Sequence, residues 1–367
     1  MRAAFKRRFI LFLCVSFFAA CGGGGSPAPQ SGPTPSGGNF LQDGSVGITT
    51  LQGWYVQDTG LWQTTGWWNA ANALTVLVRY SRLSGSSQYQ SVVSNTFTRN
   101  ESGGFLNNYY DDEGWWALAW IAAYDWTGNS SYLSMANQIF TDMTTGWDTT
   151  CGGGVWWNKN RQYKNAIANE LFLTVAARLA NRATDPQQKA VDLSWAQNEW
   201  QWFSHSGMIN TQNLINDGLN SNCANNQGTV WSYNQGVILG GLTAFSKLTQ
   251  NSSLLQQAQM IALAAIADLT DSKGILHDAC EPNCGGDGVQ FKGIFVRNLA
   301  ALDSALPNPQ YATFLTANAQ SIWANDQGSN FEFGQVWSGP YESANAASQT
   351  SAVDAFLAAY EASTGNH

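Results

Sequence analysis

Asp111, Asp112 and Glu113 stand in a row between Tyr109-Tyr110 and Trp115-Trp116, where a polar loop gives way to an apolar helical pattern. Acids at such a place have an ordinary role, because Asp at a helix cap and in the first turn satisfies free N–H groups and the positive end of the helix dipole. That role accounts for one acid, or two. Three acids beside four aromatic rings suggest catalysis by paired carboxyls. Cleavage of a glycosidic bond usually needs two such groups, one protonated to assist the leaving oxygen and one ionised to attack the sugar or activate water. Retaining enzymes hold them about 5 to 5.5 Å apart, a separation that successive side chains at a helix start can reach. Repulsion between such close anions raises one pKa, so that an acid comes to stand beside a nucleophile.

Other chemistries are poorly supplied. Serine catalysis lacks a Gly-x-Ser-x-Gly elbow, and the only histidines are His205, His277 and His367. The glycine-rich run Cys151-Gly152-Gly153-Gly154 leads into Trp156-Trp157 rather than the Lys-Ser/Thr of a phosphate loop. His277, Asp278, Cys280 and Cys284 offer a metal only two thiols and no second histidine nearby, so neither metal nor cofactor is expected.

The elements that must position these acids are helices. From residue 45 onward, segments with apolar spacings of three and four recur between short Gly, Asn, Ser or Pro loops. They predict helices at 45–58, 67–83, 87–100, 112–127, 130–144, 165–183, 186–203, 232–249, 253–269, 290–304, 309–325 and 347–361. Tyr80, Gly85, Tyr89 and Phe97 recur as Tyr124, Gly128, Tyr132 and Phe140, which marks one unit as a helical hairpin. Six hairpins can close into an (α/α)6 toroid or remain an open solenoid. Closure is preferred because no polar terminal caps are evident, and a closed ring needs no partner to bury its core, so a monomer is expected. Long loops at 101–111, 145–164, 204–231, 270–289 and 326–346 alternate with minimal ones. In a hairpin ring the long loops therefore gather over one end, where sites are usually built.

Composition narrows the partners. The 367 residues carry 17 Trp, 12 Tyr and 18 Phe, more rings than the 42 charged side chains, which excludes disorder for most of the chain. Eleven of the 17 Trp fall between Trp54 and Trp157, around the acid pair, as if the surplus rings built a sugar-facing cleft. The net charge of -8 makes nucleic acid an improbable ligand. Arg2, Lys6, Arg7 and Arg8 precede an apolar run from Phe9 to Ala20, too short to span a bilayer, so residues 1–20 read as a signal peptide. Phe18-Ala19-Ala20-Cys21 resembles a lipobox, which would make Cys21 the lipidated first residue of an exported protein held at the bacterial cell envelope. Gly, Ser, Pro, Thr, Ala and Gln then form a flexible spacer, and residues 21–44 are taken as the linker before a catalytic domain at 45–361. Four further cysteines allow three pairings; those preferred are Cys280 with Cys284 and Cys151 with Cys223.

The run Tyr110-Asp111-Asp112-Glu113-Gly114-Trp115-Trp116-Ala117-Leu118-Ala119-Trp120 closely resembles glycoside hydrolase family 76. So do Gly146-Trp147-Asp148 with Cys151 to Trp157, Tyr163-Lys164-Asn165 to Phe172, Trp231 to Gly236, Cys280 to Cys284, and Gln290 to Arg297. The resemblance covers residues 45 to 361 and implies an (α/α)6 barrel and endo-acting, retaining hydrolysis of α-1,6-linked mannan. It implies Asp111 as nucleophile and Asp112 as general acid/base. Around them Trp67, Tyr110, Trp156, Trp157, Tyr163 and Tyr233 are expected to stack on sugar faces, and Asp148, Asn165, Asn234 and Lys292 to bond hydroxyls. Trp115, Trp116 and Trp120 are expected in the core, and Glu113 and Glu170 in support. Two other functions fit the same features: transglycosylation, or hydrolysis of another α-linked glycan, by the same pair, and a non-catalytic surface glycan-binding lipoprotein.

Overall fold

The computed structural model describes residues 39–365. The expected signal peptide, Cys21 and most of the spacer lie outside the described residues. Six helices line the axis: α2 (Trp67–Ser84), α4 (Tyr110–Thr127), α6 (Ala166–Ala180), α8 (Ser232–Thr249), α10 (Phe291–Ala305) and α12 (Ala346–Thr364). Each packs on the next, and α12 returns to α2, so the ring is closed. Six more surround them: α1 (Phe40–Gln52), α3 (Gln90–Asn100), α5 (Ser130–Thr144), α7 (Pro186–Phe203), α9 (Ser253–Asp268) and α11 (Pro309–Asn325). This is the expected (α/α)6 barrel.

The inner helices are buried on nearly every side, which suits their low charge and high apolar content. Small residues let them approach: a side chain at Gly236 would come within 2.5 Å of the Phe295 Cα, and one at Gly293 within 2.5 Å of the Ser351 Cα. Gly85 and Gly128, the repeated glycines, both end their helices in the left-handed conformation that other residues adopt at a cost. The repeated rings Tyr89, Tyr132, Phe97 and Phe140 are buried between the helix layers.

One predicted helix is displaced. Instead of 45–58, α1 runs from Phe40 to Gln52, capped by the Asn39 side chain, and Phe40 and Asp43 are buried within residues assigned to the linker. The chain then turns through two short antiparallel strands, β1 (Tyr55–Val56) and β2 (Leu61–Trp62), with Tyr55 packed on Trp62 at 4.9 Å. Aromatic cross-strand pairing outweighs the helical spacing there.

All long connections join an outer helix to the next inner one, so they cluster at the N-terminal ends of the inner ring. Both disulfides form as preferred, Cys151 with Cys223 across two of these loops and Cys280 with Cys284 within a third. Neither Cys280 nor Cys284 is thus free to bind a metal, and His277 instead bonds Glu281.

Candidate active site

Asp111 and Asp112 occupy the first turn of α4, one residue inside the start because the helix begins at Tyr110. Asp111 is a wall of a cleft of about 220 Å3 over the N-terminal ends of the inner helices, with Trp68, Trp115, Trp157, Tyr163, Asn165, Asp217, Tyr233, Asp287 and Phe291. The indole N–H of Trp157 donates to Asp111 Oδ2 at 3.0 Å, while Oδ1 is buried and has no hydrogen-bond partner. Asp112 flanks the cleft rather than lining it, and its Oδ2 accepts from the Asn107 amide at 2.6 Å.

Both carboxyls hold their protons more tightly than usual. Burial, then the neighbouring charge of Asp112, pushes Asp111 well above the carboxylate range, and the Trp157 N–H partly offsets this. Burial lifts Asp112 to about 6, with the Asn107 donor opposing and Asp287 adding to the rise. The two titrate as a pair, the charge on one raising the proton affinity of the other. Glu113 stands apart, held by the Lys159 ammonium at 2.8 Å and raised by burial to about 8.

Aromatic walls are fixed by stacking. Tyr233 lies flat on Phe291, centroids 3.8 Å apart, and Trp68 stacks on Trp115 at 5.5 Å. The Trp68 N–H donates to Asp287 at 2.8 Å, and the Tyr163 hydroxyl donates to Asp217 at 2.6 Å. Asn165 both lines the cleft and caps α6 through its side-chain oxygen.

Of the residues expected to contact sugar, Trp157, Tyr163, Asn165 and Tyr233 line the cleft, and six do not. Trp67 packs on Phe105 and Trp116, within the aromatic core. Tyr110 is buried, with its hydroxyl 3.1 Å from Thr145 Oγ1. Asn234 is fully buried between helices, with no partner for its amide. Trp156 donates to Asp148 at 2.7 Å, and Asp148 in turn holds the buried Lys164 at 2.9 Å. Lys164 also donates to the carbonyls of Thr150, Gly153 and Gly154, so it knots the glycine-rich loop from within. Lys292 does the same for the loops near the second disulfide, paired with Glu281 and donating to the Gln335 carbonyl at 2.6 Å. These groups spend their hydrogen bonds on loop structure and have none facing the cleft.

Trp116 and Trp120 are core as expected, but Trp115 is also a cleft wall. Trp68, Asn107, Asp217, Asp287 and Phe291 were not foreseen. Asp217 and Asp287 had a signal in the sequence, as acids beside glycine inside two of the long loops.

A family model of glycosyl hydrolase family 76 matches residues 48–365. The chain belongs to that family. A Schizosaccharomyces pombe relative named for mannan endo-1,6-alpha-mannosidase is 32% identical over 274 residues, covering 67% of this chain and 60% of its own length. Mannan endo-1,6-alpha-mannosidase DCW1 of Candida albicans is 28% identical over 279 residues, covering 66% of this chain and 60% of its own length. The chain thus spans about 60% of the length of these relatives. The Lin0763 protein from Listeria innocua has the same fold, with TM-score 0.81 and 22% identity over 90% of this chain and 99% of that one. So does an α-1,6-mannanase of Salegentibacter, solved as an inactive variant with two consecutive aspartates changed to asparagine, in complex with α-1,6-mannotriose. Its TM-score is 0.78, with 22% identity over 88% of this chain and 99% of that one.

Proposed function

We propose that this family 76 chain is an endo-acting, retaining hydrolase of α-1,6-mannosidic linkages that works by double displacement. Asp111 attacks the anomeric carbon, and Asp112 protonates the departing glycosidic oxygen. In the second half Asp112 takes a proton from water, which displaces Asp111 and releases the sugar. The observation that carries this reading is the buried Oδ1 of Asp111, an acceptor with no protein partner on a cleft wall, next to a second carboxyl of raised pKa. Attack by Asp111 requires the shared proton on Asp112 in the substrate complex; the Trp157 N–H favours that arrangement, and burial of Asp111 opposes it.

The surroundings support the chemistry. Positive charge develops on the sugar in an oxocarbenium-like transition state, and Asp217 and Asp287 add carboxyls to the same walls. A volume of about 220 Å3 suits one sugar ring against the Tyr233–Phe291 and Trp68–Trp115 stacks, with the polymer running out over the loops. The relatives' names and the mannotriose complex support the α-1,6 linkage, and the consecutive aspartates of that inactivated mannanase parallel the sole Asp-Asp of this chain. The N-terminal pattern further supports export and tethering through Cys21, with the barrel acting as a monomer.

Incubation with linear α-1,6-mannan tests the reading. Mass spectrometry is expected to find a ladder of short mannooligosaccharides, and longer hybrids if acceptor sugars are added to a transglycosylase. Bound but intact polymer would mean a glycan-binding protein instead.

A further inference from the structure

The bore of the barrel contains a second cavity, about 540 Å3 in volume, at the C-terminal ends of the inner helices. Trp115 is a wall of both cavities. This second space is lined by Arg79, Arg82, Arg178 and Arg297, in a chain of net charge -8. Two of the guanidiniums are matched. Arg79 pairs with Asp354 and Glu361, and Arg297 pairs with Asp354 at 2.9 Å and donates to Asn72 Oδ1 at 2.6 Å.

Arg178 is different. Among the described residues its half-buried guanidinium has neither a hydrogen bond nor an ion pair. Burial, together with the like charges of Arg182, Arg297 and Arg82, pulls it down to about 10 against the attraction of Asp125. Asn72, 1% exposed and also lining the cavity, has an Nδ2 with no partner. A buried donor left unpaired is costly, so Asn72 Nδ2 is a sign of a missing acceptor at the cavity, and Arg178 adds an unmatched guanidinium charge to the same lining. Neutralising the negative ends of the inner helices would be an ordinary task for arginine. Arg182 does so by donating to the Arg178 carbonyl at 2.7 Å, whereas Arg178 donates to no carbonyl.

We propose that this cavity binds a dianionic phosphate group, free or as the monoester of a small polar molecule, held by Arg178 and Arg82 with Asn72 Nδ2 as a neutral donor. Four guanidiniums are set against the carboxylates of Asp354 and Glu361, an excess of two positive charges. A phosphate monoester carries about -1.5 to -2 at neutral pH, and the guanidinium fork fits its oxygens. The volume lies within the roughly 300–1,000 Å3 of small-molecule sites, and Val78, Leu118 and Val237 supply apolar wall for the body of an ester.

Calorimetry and thermal melting of the whole protein at constant ionic strength test the site, with inorganic phosphate and glucose 6-phosphate as probes and glucose as control. Both phosphates are expected to bind and raise Tm, the ester more strongly if its body uses the apolar wall, and glucose is expected to do neither. Arg178→Gln should weaken binding by about tenfold or more, the loss of one charge-assisted contact. Should that variant fold poorly, Ala301→Glu sets a carboxylate on the same wall and should abolish phosphate binding without lowering Tm. Absence of binding by either phosphate, or equal affinity in the wild type and the variants, would overturn the proposal.

Discussion

The two ends of the bore are lined largely by the same inner helices, yet they carry opposite charge. At the N-terminal end Asp111, Asp217 and Asp287 face one cleft; at the C-terminal end Arg79, Arg82, Arg178 and Arg297 face another. Parallel inner helices suit these signs without accounting for every member, since their N-termini favour anions and their C-termini cations. The ends also differ in construction. The acid end depends on long loops tied by a disulfide and by the Lys164 knot, whereas the arginine end is made of helix surfaces alone. The arginine end thus takes its charge from helix side chains, while the acid end takes its shape and two of its three carboxyls, Asp217 and Asp287, from the loops.

That difference can be broken at chosen points. The largest effect is expected from Asp112→Asn, which should lower kcat/KM on mannan by about 10^2- to 10^4-fold, the range for loss of a general acid/base, with the helical circular dichroism unchanged. Lys164→Met should cost about 3–5 kcal/mol in denaturant unfolding, because it leaves Asp148 and several carbonyls without their buried cation. It should disorder the acid end and spare ligand binding at the arginine end.

Smaller changes sharpen the picture of the pair itself. Trp157→Phe removes the one side-chain donor to Asp111 and should reduce kcat/KM by about 10- to 100-fold, as for a hydrogen bond to an ionised group. Asn107→Ala acts on pH dependence. The working pair holds one proton, and activity falls on the acid side as the second carboxyl, at about 6, is protonated. The Asn107 N–H stabilises the Asp112 anion, so its loss raises that pKa, and the acid limb of kcat/KM should move to higher pH. A limb that stays in place would mean that Asp112 does not set it.

The twelve-helix plan was legible because spacings of three and four residues survive in helices that are apolar nearly all round, and because Gly85 and Gly128 mark repeated ends. The segments of the site were legible too, but not always the residue. In Trp67, Tyr110, Trp156, Asn234 and Lys292 the cleft residue is an immediate neighbour: Trp68, Asp111, Trp157, Tyr233 and Phe291. One step along a helix turns a side chain by about 100°, and one step along an extended segment by about 180°. A motif names both neighbours without saying which faces the axis. On α2 the stripe Trp68, Asn72, Thr75, Arg79 and Arg82 has the spacing of a single helix face, and it runs from one cavity to the other. The aromatic surplus also divides unevenly. Of the eleven early Trp only Trp68, Trp115 and Trp157 line the cleft, while Trp67, Trp116 and Trp120 join Phe97, Phe105 and Tyr132 in a packed aromatic core.

The most direct test of the Asp111–Asp112 mechanism is the anomer released first from α-1,6-mannooligosaccharide, followed by proton NMR before mutarotation. Double displacement predicts the α-anomer, and initial release of the β-anomer would contradict it.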